Sequence, residues 1–393
     1  MISFDFDKDC CGCHACMNAC PVNAIKMEAN KEGFLLPNVD GNTCIKCGKC
    51  DKACPHLNGA NNIEKYSLES FRDIPSYLYF LDSKEREDSA SGGFVVAAMK
   101  SCLDRGGLVC GCVWDKKMKA IHIVSDKIED LRRMQSSKYV QSEIGQCYSE
   151  IKTFLKQGRN VVFCGTPCQT AGLKTFLGKV DTSNLISICV ICHGTPSPLA
   201  WKKWKQVQEH KYKGKLVYVN MRDKHKKGYA TTCCKYVYDV NGSRKVVERA
   251  AYIADPYVFL FADSLYLRNS CYHCQYKADG NGADIIAGDF HASINEAGKW
   301  GCSSVFAMTQ KGENFIKTLS GYCIKSDYKK LVGVNPMLWK SEKMNSQRKV
   351  FFEAIQKNVV SESDFTQFLP KKYYVKKVLE QMGLFNVVRK MLK

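Results

Sequence analysis

The pattern C-x2-C-x2-C-x3-C-P occurs twice near the start of this 393-residue chain, at residues 10–21 and again at residues 44–55. In such a run three closely spaced thiolates hold one 4Fe-4S cluster and the fourth crosses to a second cluster. Crossed pairing assigns Cys10, Cys13, Cys16 and Cys54 to one cluster, and Cys20, Cys44, Cys47 and Cys50 to the other. Cys11 is left over and is expected to pack as a small apolar residue. Zinc ribbons and knuckles also use C-x2-C pairs. Eight ligands in a repeated register, each fourth cysteine followed by proline, do not suit a four-ligand zinc site.

A dicluster module of the ferredoxin kind only carries electrons, so the longer remainder is expected to hold what gives or takes them. Residues 24–28 and 33–37 read as short strands covering the clusters. The polar stretch Asn58-Gly59-Ala60-Asn61-Asn62 reads as a linker, which sets the first domain at 1–62.

The chain has 23 cysteines, and Met1-Ile2-Ser3-Phe4-Asp5 leads into the first motif with no signal-peptide pattern. Cysteine use of this kind fits metal ligation in a reducing cytoplasm better than a disulfide framework. No apolar run approaches the roughly 20 residues that span a bilayer, so a soluble cytoplasmic protein without a transmembrane segment is expected. The formal charge of +19 overstates the positive field, because thiolate-ligated clusters add negative charge. The basic surface that remains suits an acidic electron carrier such as a ferredoxin or flavodoxin, although a merely solvated surface explains it as simply. Lysines across 202–227 and 371–393 lack the concentrated arginine and interleaved aromatics of a nucleic-acid reader. No nucleic-acid partner is expected.

The second region opens with apolar residues 77–81 and then Ser91-Gly92-Gly93, followed by a helical run at 95–103. Serine and glycine at a helix N-terminus leave N–H groups open to an anion, or form an ordinary cap. Strand-like segments follow at 108–114 and 120–124, then Ser136-Ser137-Lys138-Tyr139-Val140 and a helix over 143–156. A buried strand at 160–164 breaks into Gly165-Thr166-Pro167-Cys168-Gln169. Another at 185–191 ends in Cys192-His193-Gly194. Ligands of open α/β sheets sit at such strand ends.

From residue 216 the period changes to two, which predicts an antiparallel layer, with the polar Arg222-Asp223-Lys224 set against it. A third C-x2-C pair, Cys271 and Cys274, completes a set of four with Cys168 and Cys192. Spacing alone leaves that set open between a third 4Fe-4S cluster, inert core cysteine and zinc. Residues 371–393 carry apolar positions at helical spacing among basic ones, the pattern of a docked C-terminal helix or of a basic helix lying on a membrane.

Ser91-Gly92-Gly93, Ser137-Lys138-Tyr139, Gly165-Thr166-Pro167-Cys168-Gln169, Cys192-His193-Gly194, Arg222-Asp223-Lys224, Ser270-Cys271-x-x-Cys274 and Ala283-Asp284-Ile285-x-x-Gly288-Asp289 together resemble the beta-subunit family of coenzyme F420 hydrogenases and dehydrogenases. That family also includes 7-hydroxymethyl chlorophyll reductase. The resemblance implies an α+β protein: a dicluster ferredoxin-like domain, an α/β flavoprotein core with a mixed sheet at 75–325, and a C-terminal helical extension at 326–393. It implies that Cys168, Cys192, Cys271 and Cys274 hold a third 4Fe-4S cluster. It also implies that Ser91, Gly92, Gly93, Ser137, Lys138, Tyr139, Gly165, Thr166, Pro167 and Asp289 cradle FAD, with Lys138 neutralising its pyrophosphate. Many relatives carry tryptophan and glycine after Gly-Asp-Phe, where this chain has His291-Ala292.

The expected function is therefore an iron–sulfur flavoprotein oxidoreductase passing electrons between a ferredoxin-type carrier and an organic substrate. Bacterial members with this N-terminal module often belong to polysaccharide gene neighbourhoods. A non-catalytic relay subunit serving a separate catalytic partner is the alternative. A deep pocket on the flavin side favours the enzyme, and a flat apolar surface favours the relay.

Overall fold

The computed structural model describes residues 2–58, 68–292 and 295–385. The expected linker at 59–62 and the end of the C-terminal stretch, including Val388, lie outside the described residues. Each cysteine triplet of the N-terminal module leads into a short helix, Ala15–Ala19 in one half and Lys49–Ala53 in the other. The residue before each helix is left-handed, His14 with φ 65° and Gly48 with φ 69°, which turns the chain sharply enough to bring neighbouring thiols round one centre. Strands β1 (Ile25–Ala29) and β2 (Leu35–Val39) form an antiparallel hairpin pairing Ile25 with Val39.

The main sheet has eight strands: β3 (Ser76–Phe80), β4 (Leu108–Trp114), β5 (Ala120–Ser125), β6 (Val161–Gly165), β7 (Leu185–Val190), and, after an interval, β11 (Ile285–Asp289), β12 (Ser303–Ala307) and β13 (Tyr322–Lys325). Their order is β13-β3-β12-β11-β7-β6-β4-β5. The four central strands β11, β7, β6 and β4 are parallel, and antiparallel strands flank them on both sides. Runs such as Val161-Val162-Phe163 are apolar without alternation because both faces of a parallel strand are covered. Val162 packs with Phe94 and Met99 on one face, and Phe163 with Tyr148 and Ile151 on the other. The mixed sheet expected for the core is present.

In the interval, β8 (Lys215–Asp223), β9 (Cys233–Val240) and β10 (Ser243–Ala250) form the antiparallel layer. Helix Pro198–Tyr212 lies against it, burying Trp201 and Trp204 with Tyr236 and Tyr238. The C-terminal helices join that cluster through Phe351, Phe352, Phe365 and Tyr373. Helix Lys371–Gln381 is thus docked by Tyr373, whose hydroxyl donates to the Ala254 carbonyl at 2.9 Å, while Val375 and Val378 remain exposed.

Two features position the site. The carboxyl ends of β6, β7 and β11 are adjacent in the sheet, so the segments that follow them open onto one edge. The N-terminal module seats on that same edge: Cys11, Cys13 and Ala15 share a hydrophobic cluster with Tyr148 and Phe163 of the main core. A Cβ on Gly172 would stand 2.8 Å from the Cys13 sulfur. Only glycine lets helix Pro167–Leu177 come that close.

Candidate functional site

Cys10, Cys13, Cys16 and Cys54 line one small enclosed cavity, with Cys11 and His14 in its wall. Both ring nitrogens of His14 are buried without a hydrogen-bond partner, and burial lowers its pKa to about 3. A buried polar ring left unpaired costs free energy. Sulfide at the centre of the cavity is the acceptor that would relieve it, so this donor set fits a cluster. Burial raises the thiol pKa of Cys16 and Cys54. Thiolates crowded in this way persist only when bound iron offsets their charge. The second set is more open: Cys50 is buried, Cys20 and Cys44 are half-buried, and Cys47 is exposed.

Cys168, Cys192, Cys271 and Cys274 also meet, coming from three distant segments. Cys168 opens helix Pro167–Leu177, Cys192 follows β7, and Cys271 and Cys274 sit in and just after the 3-10 turn Asn269–His273. Cys192 feels the charge of Cys271, Cys168 and Cys274, Cys274 that of Cys271 and Cys168, and Cys271 that of Cys168. Burial pushes Cys274 up to about 12 and raises Cys192 and Cys271, while the neighbouring Cys11 thiol, together with burial, raises Cys168. The Thr195 N–H donates to the Cys271 sulfur at 3.2 Å, and the Thr166 hydroxyl lies 3.3 Å from the Cys168 sulfur. Lys277, buried, donates to the Cys192 carbonyl at 2.5 Å. Four half-buried thiols, two of them with a threonine N–H or O–H at the sulfur, fit an iron–sulfur cluster. Among the described residues no three His, Cys, Asp or Glu side chains close in as they would on a single metal ion.

Beside this set lies a cavity of about 490 Å³ whose wall includes Cys168 and Cys192. Ser91, Gly93, Ser137, Lys138, Tyr139, Gly165, Thr166 and Asp289 line it; Gly92 and Pro167 do not. Gly92 serves the fold instead: its N–H donates to Ser303 Oγ at 3.1 Å, and a Cβ there would lie 2.1 Å from the Tyr79 carbonyl oxygen. The Gly165-Thr166-Pro167 turn is closed in a similar way. Thr166 and Gln169 cap each other in a capping box, and Pro167 has no N–H, so this turn has little backbone to offer an anion. The open donors belong to helix Phe94–Leu103. No side chain caps its N-terminus, and Phe94, Val95 and Val96 of its first turn line the cavity. Lys138 also differs from expectation. Its ammonium donates to the carbonyls of Gln135 at 2.9 Å, Ser136 at 3.3 Å and Met134 at 3.5 Å. It holds the end of helix Ile128–Met134 from its place in the cavity wall.

The sequence reading placed Tyr139 and Asp289 at the site but did not foresee that Arg222 and Tyr252 join them in one polar wall. Arg222, at the end of β8, donates to Asp289 Oδ2 at 2.5 Å, to the hydroxyls of Tyr139 at 3.2 Å and Tyr252 at 3.4 Å, and to the Ala90 carbonyl at 3.2 Å. The two tyrosine hydroxyls are hydrogen-bonded to each other. Burial alone would raise the Asp289 pKa, but the Arg222 charge outweighs it and holds the carboxyl below the usual range. His193 is hydrogen-bonded to Ser264 at 3.0 Å, and His273 pairs with Asp9 at 3.1 Å. Both have ordinary partners.

A family profile described as the C terminus of the coenzyme F420 hydrogenase/dehydrogenase beta subunit matches residues 158–329, and one described as a 4Fe-4S dicluster domain matches residues 9–58. An uncharacterized protein of Methanocaldococcus jannaschii, MJ1349, is 25% identical over 191 residues, covering 40% of this chain and 50% of the relative. The chain thus matches about half the length of that curated relative. A chain in a solved structure of the F420-reducing [NiFe] hydrogenase complex from Methanosarcina barkeri aligns at 18% identity over 62% of this chain and 78% of its own length, with a TM-score of 0.42. Residues 158–329 are thus similar to the C terminus of the coenzyme F420 hydrogenase/dehydrogenase beta subunit, and residues 9–58, which precede them, match a 4Fe-4S dicluster domain.

Proposed function

We propose that the chain is an oxidoreductase that moves electrons between a ferredoxin-type carrier and an organic substrate, with 4Fe-4S clusters in the N-terminal module and at Cys168, Cys192, Cys271 and Cys274, and FAD in the neighbouring cavity. The observation that carries this reading is the cavity of about 490 Å³ whose wall includes Cys168 and Cys192. A relay surface has no need of so deep a recess. FAD, when bound, supplies the exchange between single electrons and the pairs that organic reactions need.

The chain's own residues have separable tasks in this reading. The uncapped first turn of helix Phe94–Leu103 presents N–H groups to a diphosphate, with Ser91 and Ser137 beside it. Arg222 and Asp289 set the charge of the far wall and hold the Tyr139 and Tyr252 hydroxyls in place. Thr166 and Thr195 orient the sulfurs of Cys168 and Cys271. The family description as a beta subunit favours a second reading, a relay that serves a catalytic partner.

Protein purified without air and titrated with FAD should quench flavin fluorescence with saturation near one FAD per chain. Ser137→Glu, which sets a negative charge in the cavity wall, should abolish the quenching by like-charge repulsion. No saturable binding by the parent, with iron content intact, would leave the relay reading standing.

A further inference from the structure

The two cysteine runs are a structural repeat as well as a sequence repeat. Cys11, Gly12, Ala15 and Asn18 correspond to Ile45, Lys46, Lys49 and Lys52. Gly12 and Lys46 share the same left-handed backbone, with φ of 64° and 54°. In the first half this surface is docked against the rest of the chain. Cys11 and Ala15 are buried. A Cβ on Gly12 would stand 2.6 Å from both Arg268 Nη1 and Gln141 Nε2, and the Asn18 side-chain amide donates to the Gly145 carbonyl at 2.8 Å.

In the second half the equivalent surface is bare. Ile45 is 61% exposed. Lys46, Lys49, Lys52 and Cys47 are exposed as well. No carboxylate among the described residues is seen in ion-pair contact with these three lysines. Of the acidic groups nearby, Asp40 is exposed and accepts from the Thr43 hydroxyl at 2.5 Å and the Asn42 N–H at 3.0 Å, and Asp51 is half-buried beside the Cys50 thiol at 3.8 Å. A lysine at positive φ is conformationally costly where glycine is not. The backbone at Lys46 therefore gains nothing from the substitution; the side chain accounts for it.

We propose that this exposed face, centred on Ile45 and ringed by Lys46, Lys49 and Lys52, is the docking site of a small acidic one-electron carrier. Cys20, Cys44, Cys47 and Cys50 would hold the cluster that takes up the carrier's electron, and Cys10, Cys13, Cys16 and Cys54 the one that would pass it inward. This rests on the reading of those eight cysteines as cluster ligands. The repeat gives one module two like faces, the first closed on its own chain through small residues, the second left open with an apolar centre and a basic rim. Such a rim steers a partner of opposite charge and sets its orientation.

The test uses the full chain with reconstituted clusters, mixed without air with a reduced bacterial ferredoxin of net negative charge, with dithionite as the carrier-independent reductant. The triple variant Lys46→Glu, Lys49→Glu, Lys52→Glu should slow reduction by ferredoxin about tenfold or more at low salt, while its iron content and its rate with dithionite stay at the parent's values. The parent's ferredoxin rate should fall as salt rises, and the variant's should not. An unchanged ferredoxin rate in an iron-replete variant overturns the proposal. If the variant loses iron, the parent decides: a ferredoxin rate insensitive to salt overturns the docking site. Absence of cluster iron in the parent would instead remove the reading of the eight cysteines.

Discussion

Cys11 and Cys168 pack in one hydrophobic cluster and line the same cavity, which joins the first cysteine run to the strand-end loop of the main sheet. Cys11 is buried there as the small apolar residue that its place outside the spacing suggests, and it lines the cavities beside both proposed ligand sets. A thiol can donate a weak hydrogen bond, and one given to a ligand sulfur would stabilise a reduced cluster, whose sulfurs carry more charge. A bond worth about 1 kcal/mol corresponds to roughly 40 mV for one electron. Cys11→Ala should keep all the iron and shift one cluster potential downward by about that amount. Redox titration followed by EPR checks it; lost iron would make Cys11 a ligand.

Cys168→Ser should remove one cluster and leave two. Three 4Fe-4S sites hold about twelve iron atoms and two hold about eight, so anaerobic iron and sulfide analysis reads the difference directly. The variant's remaining EPR signals should be those of the N-terminal module. Equal loss of every signal would mean that the junction at helix Pro167–Leu177, not a ligand set, had failed.

Asp289→Asn should destabilise the protein by about 3 kcal/mol. Arg222 and Asp289 pair with side chains only 7% and 16% exposed, and a buried guanidinium stripped of its carboxylate costs about 3–5 kcal/mol. Chemical denaturation of parent and variant side by side measures this. Equal midpoints would show that the tyrosine hydroxyls and the Ala90 carbonyl suffice for Arg222.

Lys224 should give the protein a rise in stability with pH. Its ammonium is fully buried on the carbonyls of Arg86, Ser91 and Trp300, at 2.6 to 2.7 Å. Burial, then the charges of Arg222 and Arg86, lower its pKa to about 7 from 10.5. Below pH 7 both folded and unfolded chains hold the proton. Between about 7 and 10.5 the unfolded chain holds a proton that the folded chain has released, so stability climbs with pH across that window. Melting curves from pH 6 to 9.5 should show that the advantage of the parent over Lys224→Met widens as pH rises. Parallel curves would refute the shift.

The parts legible in the sequence are those fixed by local spacing. The two cysteine runs turn where His14 and Gly48 turn them, and β4 reads as residues 108–114 because an apolar run there begins just after Gly106-Gly107 and ends before Asp115-Lys116-Lys117. The cavity wall is less legible. Gly92 and Gly165 look like ligand-facing glycines, yet one is demanded by the Tyr79 carbonyl and the other leads into a turn closed by its own cap. Lys138 looks like a counter-ion and is spent on helix carbonyls. Arg222 gives no local sign of its partners, because Tyr139, Tyr252 and Asp289 come from three remote segments that only the tertiary fold assembles.

Arg268 has a consequence for how the chain is made. Its guanidinium grips the carbonyls of Cys10 and Leu35, each at 2.7 Å, and the Gln141 side chain at 2.7 Å. Cys10 and Arg268 are 258 residues apart. During synthesis the N-terminal module leaves the ribosome first and then waits, undocked, for roughly 13 to 50 seconds at about 5–20 residues per second. Throughout that interval the inner face around Cys11 is open, and iron and sulfide have unobstructed access to both cysteine runs. Once Arg268 emerges and closes the junction, Cys10, Cys13, Cys16 and Cys54 line an enclosed cavity. A cluster held by these four would thus have a natural deadline for its insertion, written into the order in which the chain appears.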